Sequence, residues 1–206
     1  SSDAAAEQHL ALYRQLVAGR RGATVTPLPA TEAKAEPGKA ASLAGNDTVA
    51  GVGTMDGGVG NDSLQDFGSA DSLTGDVGND TMWGSGTLSG GANNDVMTGT
   101  GSLAGDDGND TLRGFDFGAT GTLSGGIGDD AVASYYNQHI LLLGGTGNDT
   151  VTGNGTLYGG DDNDLLQTTN DSAYGEQGDD TLQGIMFTYW GFAYSGDEYL
   201  DGGDNA

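Results

Sequence analysis

The sequence predicts an all-β protein, a right-handed parallel β-roll or β-solenoid that follows one short N-terminal α-helix. Three observations support this fold class. A segment rich in glycine and aspartate recurs nine times, successive copies begin 15 to 20 residues apart, and a short stretch of alternating apolar and polar residues follows each copy. A single coil of this kind cannot bury its apolar face, whereas stacked coils can.

Composition and charge separate this chain from ordinary globular domains. It has 206 residues, with 40 glycines and 30 acidic residues against six basic ones, and a formal net charge of −24. Such acidity indicates either a disordered tail or a folded framework whose carboxylates are neutralised by cations, and a registered repeat favours the framework. A surface of this sign repels phosphates, so nucleic acid is not an expected partner. No cysteine is present, which excludes thiolate metal sites.

The N-terminal region differs from the rest of the chain. Residues 3–19 predict a short amphipathic helix with Leu10, Tyr13 and Leu16 on one side, and a linker containing three prolines follows. We expect residues 1–40 to form this helix and linker. The helix either caps the open edge of the roll or docks on a partner. No apolar stretch approaches the length that spans a membrane, so no membrane span is predicted.

The repeat has the template G-[GD]-x-G-[ND]-D-x-U, in which U is aliphatic. Five close copies begin at Gly57, Gly75, Gly105, Gly125 and Gly144, and weaker copies begin at Ser42, Gly90, Gly159 and Gly175. The sixth position is aspartate in every copy. These residues are Asp47, Asp62, Asp80, Asp95, Asp110, Asp130, Asp149, Asp164 and Asp180.

Each coil is expected to contain two short strands, because a second element of the form G-x-G-[ST]-L-x lies between copies. Alternation with a period of two places every other residue on the buried face of a strand. The first strands would bury Val49, Leu64, Met82, Met97, Leu112, Val132, Val151, Leu166 and Leu182. The second strands would bury Met55, Leu73, Leu88, Leu103, Leu123, Leu142, Leu157 and Ala173.

These repeats resemble the RTX family of haemolysin-type calcium-binding repeats, whose nonapeptide is G-G-x-G-x-D-x-U-x. The resemblance covers about residues 41–183, which we expect to form the calcium-binding β-roll. It implies that the first six residues of each copy form a turn, with Ca²⁺ held between the turns of successive coils. It also implies that the nine sixth-position aspartates are the side-chain ligands, together with backbone carbonyl groups.

Elementary electrostatics supports a cation at the same place. Equivalent aspartates in neighbouring coils would lie about 4.8 Å apart, and two such charges repel by roughly 3–4 kcal/mol at an effective dielectric of about 20. A hard cation bound only by oxygen removes this repulsion, and Ca²⁺ accepts the irregular coordination that turns offer. Mg²⁺ prefers a tight octahedron, and zinc lacks its usual ligands in this chain.

The chain departs from the RTX family on the second side of each coil. That side has a short turn without aspartate in most coils, rather than a second nonapeptide. We therefore expect one file of about eight ions along one edge, and an opposite edge without metal. Asp71 and Asp171 fall in two of the short turns, where they are either solvated carboxylates or a stray site.

The C-terminal segment, residues 184–206, breaks the repeat with an aromatic-dense run and ends in a sequence like a tenth copy cut short. An open parallel edge invites aggregation, so this segment is expected to cap the roll or to bind a partner. The N-terminal helix and this aromatic segment are the two candidate surfaces for a protein partner or for self-association.

The sequence favours a non-enzymatic, calcium-dependent structural or interaction module, extracellular or at the cell surface of a bacterium. Proteins that carry RTX repeats commonly leave the cell by type I secretion and fold where Ca²⁺ is plentiful, which fits metal binding that supplies folding free energy. Two alternatives stay open at this point. One is an ice-binding roll. The other is an RTX carrier domain of a secreted enzyme, whose catalytic part would lie in other residues because this sequence contains no recognised catalytic motif.

Overall fold

The computed structural model describes residues 24–25, 39–41, 44–68, 71–115, 121–135, 140–168, 171–184, 187–189, 192–194 and 199–203. Within these ranges the chain is a parallel β-solenoid, as predicted. The predicted helix at residues 3–19 lies outside them. None of the described segments is a helix long and apolar enough to cross a membrane.

The first ladder consists of the strands that directly follow each glycine-rich turn, and neighbouring strands in it run parallel. Two of its members, β7 (Thr81–Ala92) and β8 (Val96–Asp107), continue through the second turn into the other ladder. The others are β3 (Thr48–Gly51), β5 (Ser63–Asp66), β9 (Thr111–Gly114), β11 (Ala131–Ser134), β13 (Thr150–Gly153), β15 (Leu165–Thr168) and β17 (Thr181–Gly184).

The second ladder is also parallel and leads each coil into the next glycine-rich turn. Besides the later halves of β7 and β8, it consists of β2 (Lys39–Ala41), β4 (Thr54–Val59), β6 (Asp71–Val77), β10 (Thr122–Ile127), β12 (Leu141–Thr146), β14 (Thr156–Asp161), β16 (Ser172–Gln177) and β20 (Tyr199–Asp201).

The core is the pair of aliphatic columns that the alternation predicts. Each column is in register from coil to coil, as in the pairs Leu64 with Met82 and Leu88 with Leu103. Sixteen of the 17 predicted residues belong to the buried core cluster, and the other, Leu182, is partly buried and packs against it. Ile140 is an additional buried member that the alternation did not predict. It precedes β12 and lies where Gly121 and Gly155 stand in the adjacent coils.

Strands at the two ends extend the roll beyond the nine complete copies. Near the N-terminus, β1 (Thr24–Val25) pairs antiparallel with β3, and β2 pairs with β4. β1 and the first two residues of β2 lie within residues 1–40, the region predicted as helix and linker. At the other end, β20 adds a further rung beside β16, with Leu200 opposite Ala173. Between them, β18 (Phe187–Tyr189) and β19 (Phe192–Tyr194) form a separate antiparallel pair in the aromatic segment.

Candidate metal centre

The nine sixth-position aspartates stand in one column at the edge where each glycine-rich turn enters a first-ladder strand. The residue after each aspartate begins the strand, and its N–H donates to the carbonyl of the aspartate in the preceding coil, as Ser63 does to Asp47. The aspartates from Asp47 to Asp164 are buried, and Asp95 is only 1% exposed. Asp180, in the last turn, is half-buried. The structure thus brings together all nine residues that the repeat singled out.

One carboxylate oxygen of each aspartate from Asp62 onward is used to join two coils. In the central coils, the N–H of Asp95 donates to Oδ1 of Asp110 at 2.7 Å, and the N–H of Asp110 donates to Oδ1 of Asp130 at the same distance. The bond recurs eight times, from Asp47 through to Asp180. A carboxylate tied in this way is fixed in its rotamer before any ligand binds.

The other carboxylate oxygen, Oδ2, is buried in all nine aspartates and has no hydrogen-bond partner. It lies near the backbone of its own turn and near a carbonyl of the next coil. A Cβ built on Gly57, for example, would lie 2.6 Å from Oδ2 of Asp62 and 2.9 Å from the carbonyl oxygen of Gly75. Oδ2 of the aspartate therefore lies beside a carbonyl oxygen of the next coil with no donor of its own, and a buried acceptor left in this state is costly.

The same convergence of carboxylate and carbonyl recurs in seven of the described turns. In each, the first residue of the turn is a glycine whose missing side chain leaves room for both oxygens. The seven pairs are Asp62 with Gly75, Asp80 with Gly90, Asp95 with Gly105, Asp110 with Gly125, Asp130 with Gly144, Asp149 with Gly159 and Asp164 with Gly175.

Glycine has different roles at different turn positions. At the second and fourth positions the backbone has positive φ, as in Gly58 (91°) and Gly60 (134°), a region that glycine enters at little cost. A few non-glycine residues also occupy these positions, among them Asp106 with φ 74°. The first position does not require positive φ. Its glycine is required for space, because a Cβ there would collide with the aspartate and with the next coil.

Burial shifts the acidity of the column. Desolvation, reinforced by the charges of neighbouring aspartates, raises the pKa of Asp95, Asp130 and Asp149 to about 7 and that of Asp62 and Asp164 to about 6. Burial also raises the pKa of Asp47, Asp80 and Asp110. Without a cation, therefore, this column holds protons at pH values where an ordinary aspartate is ionised. Such a site favours any positive charge that fits between the coils.

A second column at the fifth turn position was not predicted from the sequence. The N–H of Asn109 donates to Oδ1 of Asn94 at 3.0 Å, and the N–H of Asn94 donates to Oδ1 of Asn79 at 3.1 Å. The pattern continues with Asp129 and Asp179 in place of asparagine. These bonds run in the opposite direction to the aspartate bonds, so each turn is tied to both of its neighbours. The repetition of [ND] at this position was the available sequence signal.

Carboxylates alone do not form a metal site here. Across the part of the chain that the structure describes, no three His, Asp or Glu side chains gather around one point. An ion between two coils could therefore take one or two carboxylates and would need backbone carbonyls for the remainder. That donor set consists entirely of oxygen, which suits Ca²⁺, and it leaves no soft ligand for a transition metal.

Comparison with protein-family models agrees with the geometry. The model for the RTX calcium-binding nonapeptide repeat matches four times, at residues 43–82, 84–102, 98–116 and 167–184. Comparisons with curated proteins and with solved structures found no match. The three turns at residues 125–130, 144–149 and 159–164 lie outside the matched ranges, but they repeat the same carboxylate and carbonyl arrangement. These four matches and the parallel β-solenoid together support an RTX-type β-roll.

Proposed function

We propose that the roll binds Ca²⁺ in a single file along the aspartate edge, with ions between the turns of successive coils. The nine aspartates Asp47, Asp62, Asp80, Asp95, Asp110, Asp130, Asp149, Asp164 and Asp180 are the side-chain ligands in this proposal. The observation that carries it is the buried, unpartnered Oδ2 that faces a carbonyl of the next coil. A dication between them converts two opposed acceptors into two ligands.

The number of ions follows from the number of gaps. The structure describes seven gaps in which a carboxylate of one coil and a carbonyl of the next converge. The turn of Asp47 supplies an eighth, in which the first residue, Ser42, lies outside the described residues. We therefore propose about eight ions in the file, one for each gap between the nine turns.

Folding is coupled to calcium in this proposal. Each independent site occupied at ten times its dissociation constant contributes about 1.4 kcal/mol, so a file of sites adds on the order of 10 kcal/mol. This gain opposes the repulsion within an unfilled column. The core cannot do so alone, since it is only two side-chain columns thick. A chain of this design stays unfolded where Ca²⁺ is scarce and folds outside the cell, where Ca²⁺ is plentiful.

At the level of the cell, the chain acts as a structural or interaction module of a secreted or cell-surface bacterial protein rather than as an enzyme. The RTX repeat is a structural calcium-binding unit, and the described residues that are buried and polar lie in the turns and at the second edge, not in a catalytic arrangement. Export by type I secretion and a protein partner at the aromatic C-terminal segment both belong to this proposal.

The decisive experiment is a Ca²⁺ titration followed by circular dichroism after removal of metal with a chelator. We expect strand signal to appear cooperatively with Ca²⁺ and to stay low at the same concentrations of Mg²⁺, because Mg²⁺ keeps its waters. A chain that is equally ordered in excess chelator would overturn the proposal. Equal ordering by Mg²⁺ would overturn its ion selectivity.

A further inference from the structure

The second edge of the roll contains a pair of acidic residues that the aspartate file does not include. Two inward positions flank the second turn of each coil, and both are glycine in most coils, as in Gly84 with Gly86 and Gly99 with Gly101. In the second coil both positions are aspartate. Asp66 lies in register with Gly51, and Asp71 lies in register with Gly86.

Asp66 is a buried carboxylate. It is 1% exposed, and its Oδ1 accepts the N–H of Gly68 at 2.9 Å. Its Oδ2 is buried and has no hydrogen-bond partner. The charged group that acts on Asp66 is another carboxylate, Asp71. The buried polar side chains at the same position in other coils, Ser134 and Thr168, are hydroxyls and carry no charge.

Asp71 supplies the second carboxylate at the same place. Its Oδ2 accepts the N–H of Gly53 at 2.9 Å, which fixes the side chain over the preceding coil. The carboxyl groups of Asp66 and Asp71 approach within hydrogen-bonding reach, and burial followed by the charge of Asp71 raises the pKa of Asp66. A Cβ built on Gly68 would touch Asp71 Oδ2 and lie 3.1 Å from Asp66 Oδ1, so both groups border the same space.

We propose that Asp66 and Asp71 bind one Ca²⁺ ion at the second edge, separate from the file on the aspartate edge. A proton shared between the two carboxyls would leave one net negative charge in a buried place, whereas a dication neutralises both. The donors are all oxygen, which selects a hard cation. This site needs no nonapeptide, because the two aspartates replace two glycines that border one turn.

Counting bound ions in variants of the full chain tests this site. Asp66→Ser with Asp71→Gly installs residues that other coils already carry at these positions, so the roll is expected to fold. Equilibrium dialysis against Ca²⁺ should find one ion fewer per chain than in the unmodified protein. The matched control is Asp171→Asn, a single carboxylate at the second turn of the eighth coil beside Thr168, which should lose none. The proposal is refuted if the double variant keeps every ion, or if the control also loses one.

Anomalous diffraction from crystals of the unmodified, Ca²⁺-loaded chain gives an independent readout that requires no variant. We expect a peak about 2.3–2.6 Å from Oδ2 of Asp66, in addition to peaks along the aspartate edge. Two hydrogen-bonded carboxyls with no peak between them would show a shared proton and end the proposal. The peaks on the two edges are separate, so absence of the peak at Asp66 would leave the proposed file on the aspartate edge unaffected.

Discussion

Substitution of Asp110 by asparagine should change the stability of the roll in opposite directions with and without calcium. Asparagine keeps an Oδ1 that can accept the N–H of Asp95, a bond of 2.7 Å in the native turn. It removes only the charge and one candidate ligand oxygen. The unmodified column places Asp110 between Asp95 and Asp130, so one substitution relieves two neighbour repulsions and weakens two candidate ion sites.

The magnitudes follow from the spacing of the coils. At about 4.8 Å and an effective dielectric of about 20, each repulsion is roughly 3.5 kcal/mol, and salt at physiological strength reduces it to about 2 kcal/mol. In excess chelator at about pH 8, above the pKa of about 7 of Asp95 and Asp130, we expect Asp110→Asn to stabilise the folded state by about 2–4 kcal/mol. With Ca²⁺ bound, loss of a buried charged partner should destabilise it by about 3–5 kcal/mol.

The assay is urea unfolding followed by circular dichroism in Ca²⁺, together with the Ca²⁺ midpoint for appearance of strand signal. In chelator the readout is the strand signal itself, which is low for the unmodified chain and rises if the folded state is stabilised. Asp107→Asn is the matched control, because it removes the same charge from the same turn, at a residue that is exposed. We expect it to shift stability by less than about 1 kcal/mol in either condition. A shift of Asp110→Asn in the same direction with and without Ca²⁺ would refute the assignment of this column as the metal edge.

Three further outcomes follow from the structure. In chelator, the folded state should become more stable as pH falls from about 7 to about 4, because the pKa of Asp95 is about 7 when folded against an ordinary 3.8. The charge penalty is complete above the folded pKa and absent below the unfolded pKa, so strand signal in chelator should rise over this window, and a flat signal would contradict this. Gly105→Ala should displace Asp110 and raise the Ca²⁺ midpoint at least tenfold. The control is Gly202→Ala, at the corresponding position of the incomplete tenth copy, where an added Cβ has nothing within 4 Å and should leave the midpoint unchanged. Equal midpoints for the two variants would show that space at this position is unimportant. Leu103→Ala should lower the free energy of unfolding by about 3 kcal/mol in the presence of Ca²⁺, measured by urea unfolding. The control is Val59→Ala at an exposed position, and a difference between the two variants below about 1 kcal/mol would argue against a tightly packed core.

The aliphatic columns could be predicted from the sequence because two periodicities agree there. Alternation assigns a face to each residue, and the constant length of the turn assigns a register. Together they determine the position of residues such as Met55 and Leu157 in the core. Ile140 escaped this logic because it ends a longer second turn, where the count of residues no longer fixes which side chain points inward. The nine aspartates could also be placed at one edge, and their role as ligands stays a prediction.

The bonds between turns could not be predicted in the same way. Whether Asn94 accepts from the coil after it, or Asp110 from the coil before it, depends on the sideways offset of stacked turns, and that offset is not encoded in a single repeat. Asp66 illustrates the same limit. Alternation from Leu64 places it on the inward face, but an aspartate beside a turn is usually solvated, and only the structure shows that it is buried at a position where the preceding coil has Gly51.

The two edges of the roll differ in how much variation they accept. Every aspartate-edge turn has the same length, since its N–H groups are tied to both neighbouring coils. All the variation in repeat length therefore falls at the second edge, where the chain runs directly through in β7 and β8 but has more residues between its two strands after Asp66, Gly114 and Ser134. A foreign peptide spliced into the second turn would be displayed outward at regular intervals, while the ion-lined edge would stay intact. The second edge can therefore carry inserted peptides at the spacing of the coils, whereas the aspartate edge cannot.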